Sequence, residues 1–99
     1  MTSTSIIPGT ARYTDCPGGQ LRHVDFRVEV CDSFILWNRG GPKAGLGGIM
    51  EMLAEVRGIK SMWARGYKLS ITLGEAFTWP EVWPEVERII AVFGEAKSA

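Results

Sequence analysis

The feature that most constrains this chain is an apolar stripe near its C-terminus, repeated at the spacing of an α-helix. A helix with such a stripe must bury one face, and a chain of 99 residues can supply one core but not two. The stripe comprises Trp79, Val82, Trp83, Val86, Ile89, Ile90 and Phe93. We therefore predict a single domain over residues 1–99, with residues 1–10 and 95–99 frayed at its ends.

A proline and a glycine set the predicted bounds of this helix. In a helix that began at Trp79, the ring of Pro84 would clash with the carbonyl four residues earlier. We therefore predict a loose turn over Trp79–Trp83 and a regular helix that begins at Pro84 and ends at Gly94.

Several other stretches favour β-strands. Val24–Cys31 alternates between apolar and polar residues, and it is predicted to form an antiparallel hairpin with Phe34–Trp37. A first strand is predicted near Ala11–Thr14. Ile59–Ala64 and Tyr67–Leu73 are predicted as a second strand pair, joined by a tight turn.

A shorter amphipathic helix is predicted between the two strand pairs, with Gly58 as the residue that stops it. Its apolar face carries Leu46, Ile49, Met50, Leu53 and Val56. Two helices and an antiparallel sheet must bury one apolar face each. The fold class is therefore predicted as α+β, a two-layer sandwich in which a small, largely antiparallel sheet of about four to five strands packs on two helices.

The charge balance disfavours a nucleic-acid partner. Lys and Arg number 11, as do Asp and Glu, so the chain lacks the basic excess that drives binding to a phosphate backbone. No apolar run approaches the roughly 20 residues of a membrane span, and the first residues lack a basic leader. We expect a cytoplasmic protein with no nucleic-acid or membrane partner.

The cysteine count argues against a metal or cofactor held by this chain alone. Cys16 and Cys31 form no CxxC motif, and two ligands fall short of the four that a zinc or cluster site uses. We therefore expect neither a metal nor a cofactor unless a second chain completes the ligand set.

The glycine-rich loop 40–48 precedes the first helix, as phosphate-binding loops do, but it matches neither GxxxxGK[ST] nor GxGxxG. Free N–H groups at the helix start, with a lysine nearby, can still hold an anion weakly. The candidate anion-binding residues are Lys43, Gly45, Gly47 and Gly48. The competing interpretation is a linker without a ligand.

The only histidine, His23, has no nucleophile partner by motif. A hydrolase would need Ser70 or Cys16 beside it in the fold, which the sequence cannot place. We therefore predict no catalytic residues and no enzymatic activity, and a small hydrolase ranks third among the possible functions.

The candidate partner-binding residues lie in the second strand pair. Trp63, Arg65 and Lys68 cluster around the predicted turn, and tryptophan and arginine are enriched at interface hot spots. The competing interpretation places Trp63 in the core beneath the last helix.

Four motifs fall in one register over residues 49–93: L-x-x-V-x-G-I, K-S-M-W, L-S-I-T and W-x-x-V-x-P-E-V. In this order the stretch resembles the N-terminal domain of Nfu-type iron–sulfur cluster scaffold proteins. The resemblance implies a fold of this kind and an association with cluster biogenesis. It does not imply cluster binding, because that family holds the cluster on a CxxC motif in a second domain, and this chain has no CxxC.

The leading hypothesis is a non-enzymatic accessory or interaction domain that acts in iron–sulfur cluster assembly or delivery through contacts with another protein. The alternative is a small-ligand or anion-binding protein that uses loop 40–48 and the helix start after it.

Overall fold

The computed structural model describes residues 4–7, 11–16, 19–41, 46 and 48–98. This part of the chain forms six strands and two helices. They are β1 (Thr4–Ile7), β2 (Ala11–Asp15), β3 (Leu21–Phe26), β4 (Cys31–Asn38), α1 (Gly48–Leu53), β5 (Ile59–Gly66), β6 (Lys68–Leu73) and α2 (Trp79–Ser98). β1 and the end of α2 lie in the two end segments for which fraying is expected.

The strands form one antiparallel sheet in the order β1-β2-β3-β6-β5-β4. The predicted α+β class is confirmed, with six strands in the described residues where about four to five were expected. One sheet face and both helices enclose the core. Its largest fully buried side chains are Val24, Ile49, Met50, Leu53, Ile59, Met62, Leu69, Ile71, Leu73, Val86 and Ile90.

The predicted hairpin of Val24–Cys31 with Phe34–Trp37 is wrong. β3 ends at Phe26 and pairs with β6, whereas β4 begins at Cys31 and pairs with β5. Between them the chain crosses the turn of the β5–β6 hairpin. The N–H of Phe26 donates to the carbonyl of Tyr67, and the N–H of Val30 donates to that of Gly66 (both 2.8 Å).

Alternation continues through this crossing because its apolar residues still serve the core. Val28 and Val30 are half-buried and pack against the core cluster, although neither belongs to a strand. An alternation of period two indicates which side of an extended chain is buried, even where the segment is not paired with another strand. This is why residues 24–31 look like one continuous strand in the sequence.

The helix α1 is shorter than its apolar pattern predicts. Leu46 and Val56 are buried as expected, but both lie outside the helix. After Leu53 the backbone tightens, since the N–H groups of Glu55 and Val56 donate to carbonyls three residues earlier (3.2 and 3.0 Å).

A side chain from the end of β4 holds this tightened segment. The guanidinium of Arg39 donates to the carbonyls of Ala54 (2.8 Å), Val56 (2.7 Å) and Ile59 (2.8 and 3.0 Å). It also lies over the ring of Trp37, 4.9 Å from its centroid. Arg39 thereby supplies hydrogen-bond donors to three carbonyls of the segment that leads from α1 into β5.

The helix α2 is longer than predicted at both ends. It begins at Trp79, with Pro84 inside it, and it passes through Gly94 without a break. Thr78 caps the start: its carbonyl accepts from the N–H of Val82 (3.2 Å), and its own N–H donates to the carboxylate of Glu81 (3.4 Å). Pro84 is exposed and removes one helical hydrogen bond near the start of α2, a loss that the packed apolar stripe offsets.

Gly58 ends the α1 segment with a positive φ of 107°, as the sequence predicts. A Cβ at this position would lie 2.8 Å from Cγ2 of Val82 and 3.0 Å from the ring of Phe77. Gly66 also has a positive φ, 59°, but open space surrounds it. Comparing an alanine substitution at Gly58 with one at Gly66 therefore distinguishes the cost of steric overlap from the cost of backbone strain.

Gly58→Ala is expected to lower the free energy of unfolding by about 3–5 kcal/mol, because backbone strain and overpacking add at one site. Gly66→Ala is the control and should cost about 1–2 kcal/mol from strain alone. Urea denaturation followed by circular dichroism measures both. Equal losses would contradict the close approach at Gly58.

Arg39→Lys is expected to lower the free energy of unfolding by about 2 kcal/mol, since an ammonium group cannot reach three carbonyls in a fork. Arg57→Lys is the matched control, because Arg57 is exposed and its guanidinium lies 6.0 Å from the ring centroid of Phe77. That variant should stay within about 0.5 kcal/mol of the parent chain. A neutral Arg39→Lys would contradict the capping role.

Candidate functional site

The two helices cover one face of the sheet, and we call the opposite side the open face. Directly paired residues of an antiparallel ladder point to the same side. One row on the open face crosses five strands from β2 to β4. It consists of Thr14, His23, Ser70, Trp63 and Leu36.

Large apolar side chains occupy the β4 end of this row. We call Phe34, Leu36 and Trp63 the apolar patch. Phe34 and Leu36 are 58% and 57% exposed, and the ring of Phe34 stacks on that of Trp63 at 5.9 Å and 28°. His23 approaches Trp63 from the other side, with ring centroids 6.3 Å apart. Clustered exposed aromatic side chains beside a polar surround are typical of protein-binding surfaces.

A second row, two residues further along each strand, carries charge. It consists of Arg12, Asp25, Lys68 and Arg65, and we call it the basic row. Its three cations are exposed, and its one carboxylate is half-buried. A cleft of about 320 Å³ opens at the β2–β3 end of this row, where Arg27 adds a further cation.

The third row of the open face is uncharged. It consists of Leu21, Thr72, Ser61 and Asn38. The apolar patch therefore has cations on one side and neutral polar groups on the other. The two sides of the patch therefore differ in charge, so that a charged partner would bind in one orientation.

The candidate residues Trp63, Arg65 and Lys68 are brought together on the open face. Arg65 and Lys68 pair directly across β5 and β6, and Trp63 lies two residues from Arg65 on the same face. The competing interpretation, in which Trp63 lies under the last helix, is wrong because the helices cover the other face.

Sequence reasoning missed Phe34 and Leu36 as members of this surface. They alternate with Ile35 and Trp37, which are directed to the core, so both faces of β4 are apolar. Two helices can cover only one face of the sheet. A strand whose residues are apolar on both faces therefore leaves one apolar face uncovered, and this feature of the sequence could have indicated the patch.

His23 and Ser70 lie side by side, with Nδ1 and Oγ 2.5 Å apart and sharing a hydrogen bond. A serine nucleophile must be open to substrate, yet Ser70 is only 1% exposed. The pair links β3 to β6 beside the patch. Its geometry fits a cross-strand hydrogen bond better than it fits a hydrolase.

The two cysteines lie on well-separated strands of the sheet. Cys16 follows β2 and Cys31 begins β4, with three strands between them, so the strand spacing alone puts them about 19 Å apart. They cannot share one metal ion within a chain. Among the described residues, no group of three His, Cys, Asp or Glu side chains is placed to hold a metal.

The anion-binding candidates fall largely outside the described residues. Lys43, Gly45 and Gly47 belong to this undescribed part, and Gly48 begins α1 with a φ of 43°. That helix has six residues, which gives it little dipole to hold an anion.

A buried arginine on the helix side fixes the start of α2. Arg22 is 7% exposed, pairs with Asp15 at 2.5 Å, and lies 4.1 to 4.5 Å from the ring centroids of Tyr13, Trp79 and Trp83. These contacts satisfy a buried charge by pairing and by cation–π attraction. The two tryptophans of α2 are therefore structural, as their helical spacing predicts.

A carboxylate with a shifted pKa, that of Glu85, lies away from the open face. On the exposed side of α2, a hydrogen bond from Arg88 holds the pKa of Glu85 below its ordinary value, with the charge of Arg88 adding to the effect. The pair spans one helical turn in solvent. Its perturbation is that of a surface ion pair, which contributes little to stability.

Comparison with known proteins supports the fold. The crystal structure of protein SAV1430 from Staphylococcus aureus matches with a TM-score of 0.61 and 15% sequence identity, covering 88% of this chain and 93% of that one. At this identity the likeness shows the fold alone. No family model matches the sequence, and no curated protein matches it.

Neither helix in the described residues is long and apolar enough to cross a membrane.

Trp63→Ala is expected to change the free energy of unfolding by no more than about 1 kcal/mol, because the indole packs on a surface neighbour outside the core. Trp83→Ala is the matched control. Its indole is 9% exposed and contacts Arg22 and Tyr13, so its loss should cost about 3–5 kcal/mol. Thermal and urea unfolding measure both variants, and similar losses would contradict a surface role for the Trp63 indole.

Proposed function

We propose that this chain is a non-enzymatic interaction domain that docks another protein on its open face. The apolar patch beside the basic row is the observation that carries the proposal. Phe34 and Leu36 remain more than half exposed although the buried core cluster lies on the other face of the sheet. Retaining such a surface favours a partner that covers it.

We further propose that the docking serves iron–sulfur cluster assembly or delivery in the cytoplasm. The support is the joint register of the four motifs in residues 49–93, which is similar to the Nfu N-terminal domain. The helices, strand pair and turn glycine that those motifs imply agree with α1, β5, β6 and Gly58. In this proposal the chain binds a partner protein, and the cysteine ligands of the cluster come from another protein.

A test in the source organism addresses the pathway. Removing the segment that encodes this chain is expected to lower the activity of cluster-dependent dehydratases and to leave cluster-free enzymes unchanged. The parent chain should restore the activity, and Trp63→Ala should not. Val92→Ala is the control, since Val92 is exposed on α2 away from the open face, and it should restore activity fully.

Unchanged dehydratase activity after removal, under iron limitation as well as in rich medium, would contradict the link to cluster assembly. Equal rescue by Trp63→Ala, with that variant present at parent levels, would contradict the use of the open face.

Anaerobic reconstitution tests whether this chain holds a cluster itself. With iron and sulfide, the purified chain should bind no stoichiometric iron as a monomer, because its cysteines cannot meet at one cluster. Iron analysis and visible absorption after gel filtration are the measurements. A monomer with a full cluster would contradict the proposed role.

A further inference from the structure

The open face also indicates the chemistry of its partner. We propose that it binds a protein segment with aliphatic or aromatic side chains flanked on one side by carboxylates. This rests on the proposed docking function and specifies what is docked. The geometry of the apolar patch indicates that the centre of the partner segment is apolar. The charges of the three rows indicate on which side of that centre the partner's carboxylates lie.

The apolar patch spans the neighbouring strands β4 and β5. Phe34 lies flat against Trp63, while Leu36 is directly opposite Trp63 in the β4–β5 ladder. The three side chains form a continuous apolar area from the edge strand toward the middle of the sheet. A partner side chain of similar size would remove Phe34 and Leu36 from water, which drives association.

The charge on the face is one-sided. Arg12, Lys68 and Arg65, with the neighbouring Arg27, supply four cations at this end. The carboxylates near them are Asp25 in the row and the exposed Glu29 and Asp32, which lie in and after the crossing segment. The net charge there is positive in a chain whose overall charge is zero. A partner should therefore place its carboxylates toward the β5–β6 turn, where they meet Lys68 and Arg65.

The charge of the chain favours a protein over a single-stranded nucleic acid. The neutral chain lacks the broad positive field that a phosphate backbone requires. A lipid surface would engage an amphipathic helix or a larger basic area than one row supplies.

The test uses four defined probes and backbone amide shifts of the labelled chain. The first is a short synthetic peptide of Leu and Phe flanked on one side by Glu, and the second replaces each Glu with Lys. The third is a thymidine oligonucleotide, and the fourth is a vesicle of phosphatidylglycerol and phosphatidylcholine. We expect saturable shifts only with the Glu peptide, centred on residues 34–36 and 63–70.

Three variants check the assignment. Trp63→Ala should weaken binding of the Glu peptide by about tenfold or more, and Val92→Ala should leave it within about twofold. The double variant Arg65→Glu and Lys68→Glu should abolish that binding and transfer preference to the Lys peptide. Because those two side chains are exposed, this variant keeps the fold even if Trp63→Ala does not.

Absence of saturation with the Glu peptide at millimolar concentration would overturn the proposal. Equal binding of the Glu and Lys peptides would overturn the charge assignment, and binding of the oligonucleotide or the vesicle at the same residues would replace the protein segment with another ligand. Either of the first two outcomes, together with loss of dehydratase activity on removal of the chain, would leave the proposed function standing with a different partner chemistry. Binding of the oligonucleotide or the vesicle would contradict protein docking on this face as well.

Discussion

The β5–β6 hairpin is inserted between β3 and β4, and this insertion sets the order of the whole sheet. Two backbone hydrogen bonds, from Phe26 to Tyr67 and from Val30 to Gly66, hold the crossing segment over the turn of that hairpin. As a result β6 lies at the centre of the sheet, and β4 becomes an edge strand beside β5. Every row on the open face follows from this order, because each row joins strands that are distant in sequence.

The division of aromatic residues between the two faces follows from having helices on one side only. Trp79 and Trp83 close around Arg22 and fix the start of α2 against β2 and β3. In the described part of the chain no helix covers Trp63, which stacks on Phe34 instead. The same residue type therefore stabilises the fold on one face and supplies a candidate docking surface on the other.

Part of the candidate site could be predicted from the sequence. Trp63, Arg65 and Lys68 belong to one local hairpin, and alternation alone places them on the side away from Leu69 and Ile71. Phe34 and Leu36 could not be assigned in this way, because their place beside Trp63 requires β4 to pair with β5 across more than twenty residues. The hydrogen bond between His23 and Ser70 depends on pairing over a still longer separation.

Sequence by itself determined the local features: two amphipathic helices, the β5–β6 hairpin, the stop at Gly58 and the burial of the α2 stripe. Each arises from periodicity or backbone conformation within a few residues, where the physical cause and the residues are adjacent. Only the tertiary structure decided which strands are neighbours, that α2 passes through Pro84, and that residues 27–30 form a crossing. The strand order and the crossing depend on long-range hydrogen bonds, which local periodicity does not specify. The path of α2 through Pro84 depends on packing that outweighs a local preference.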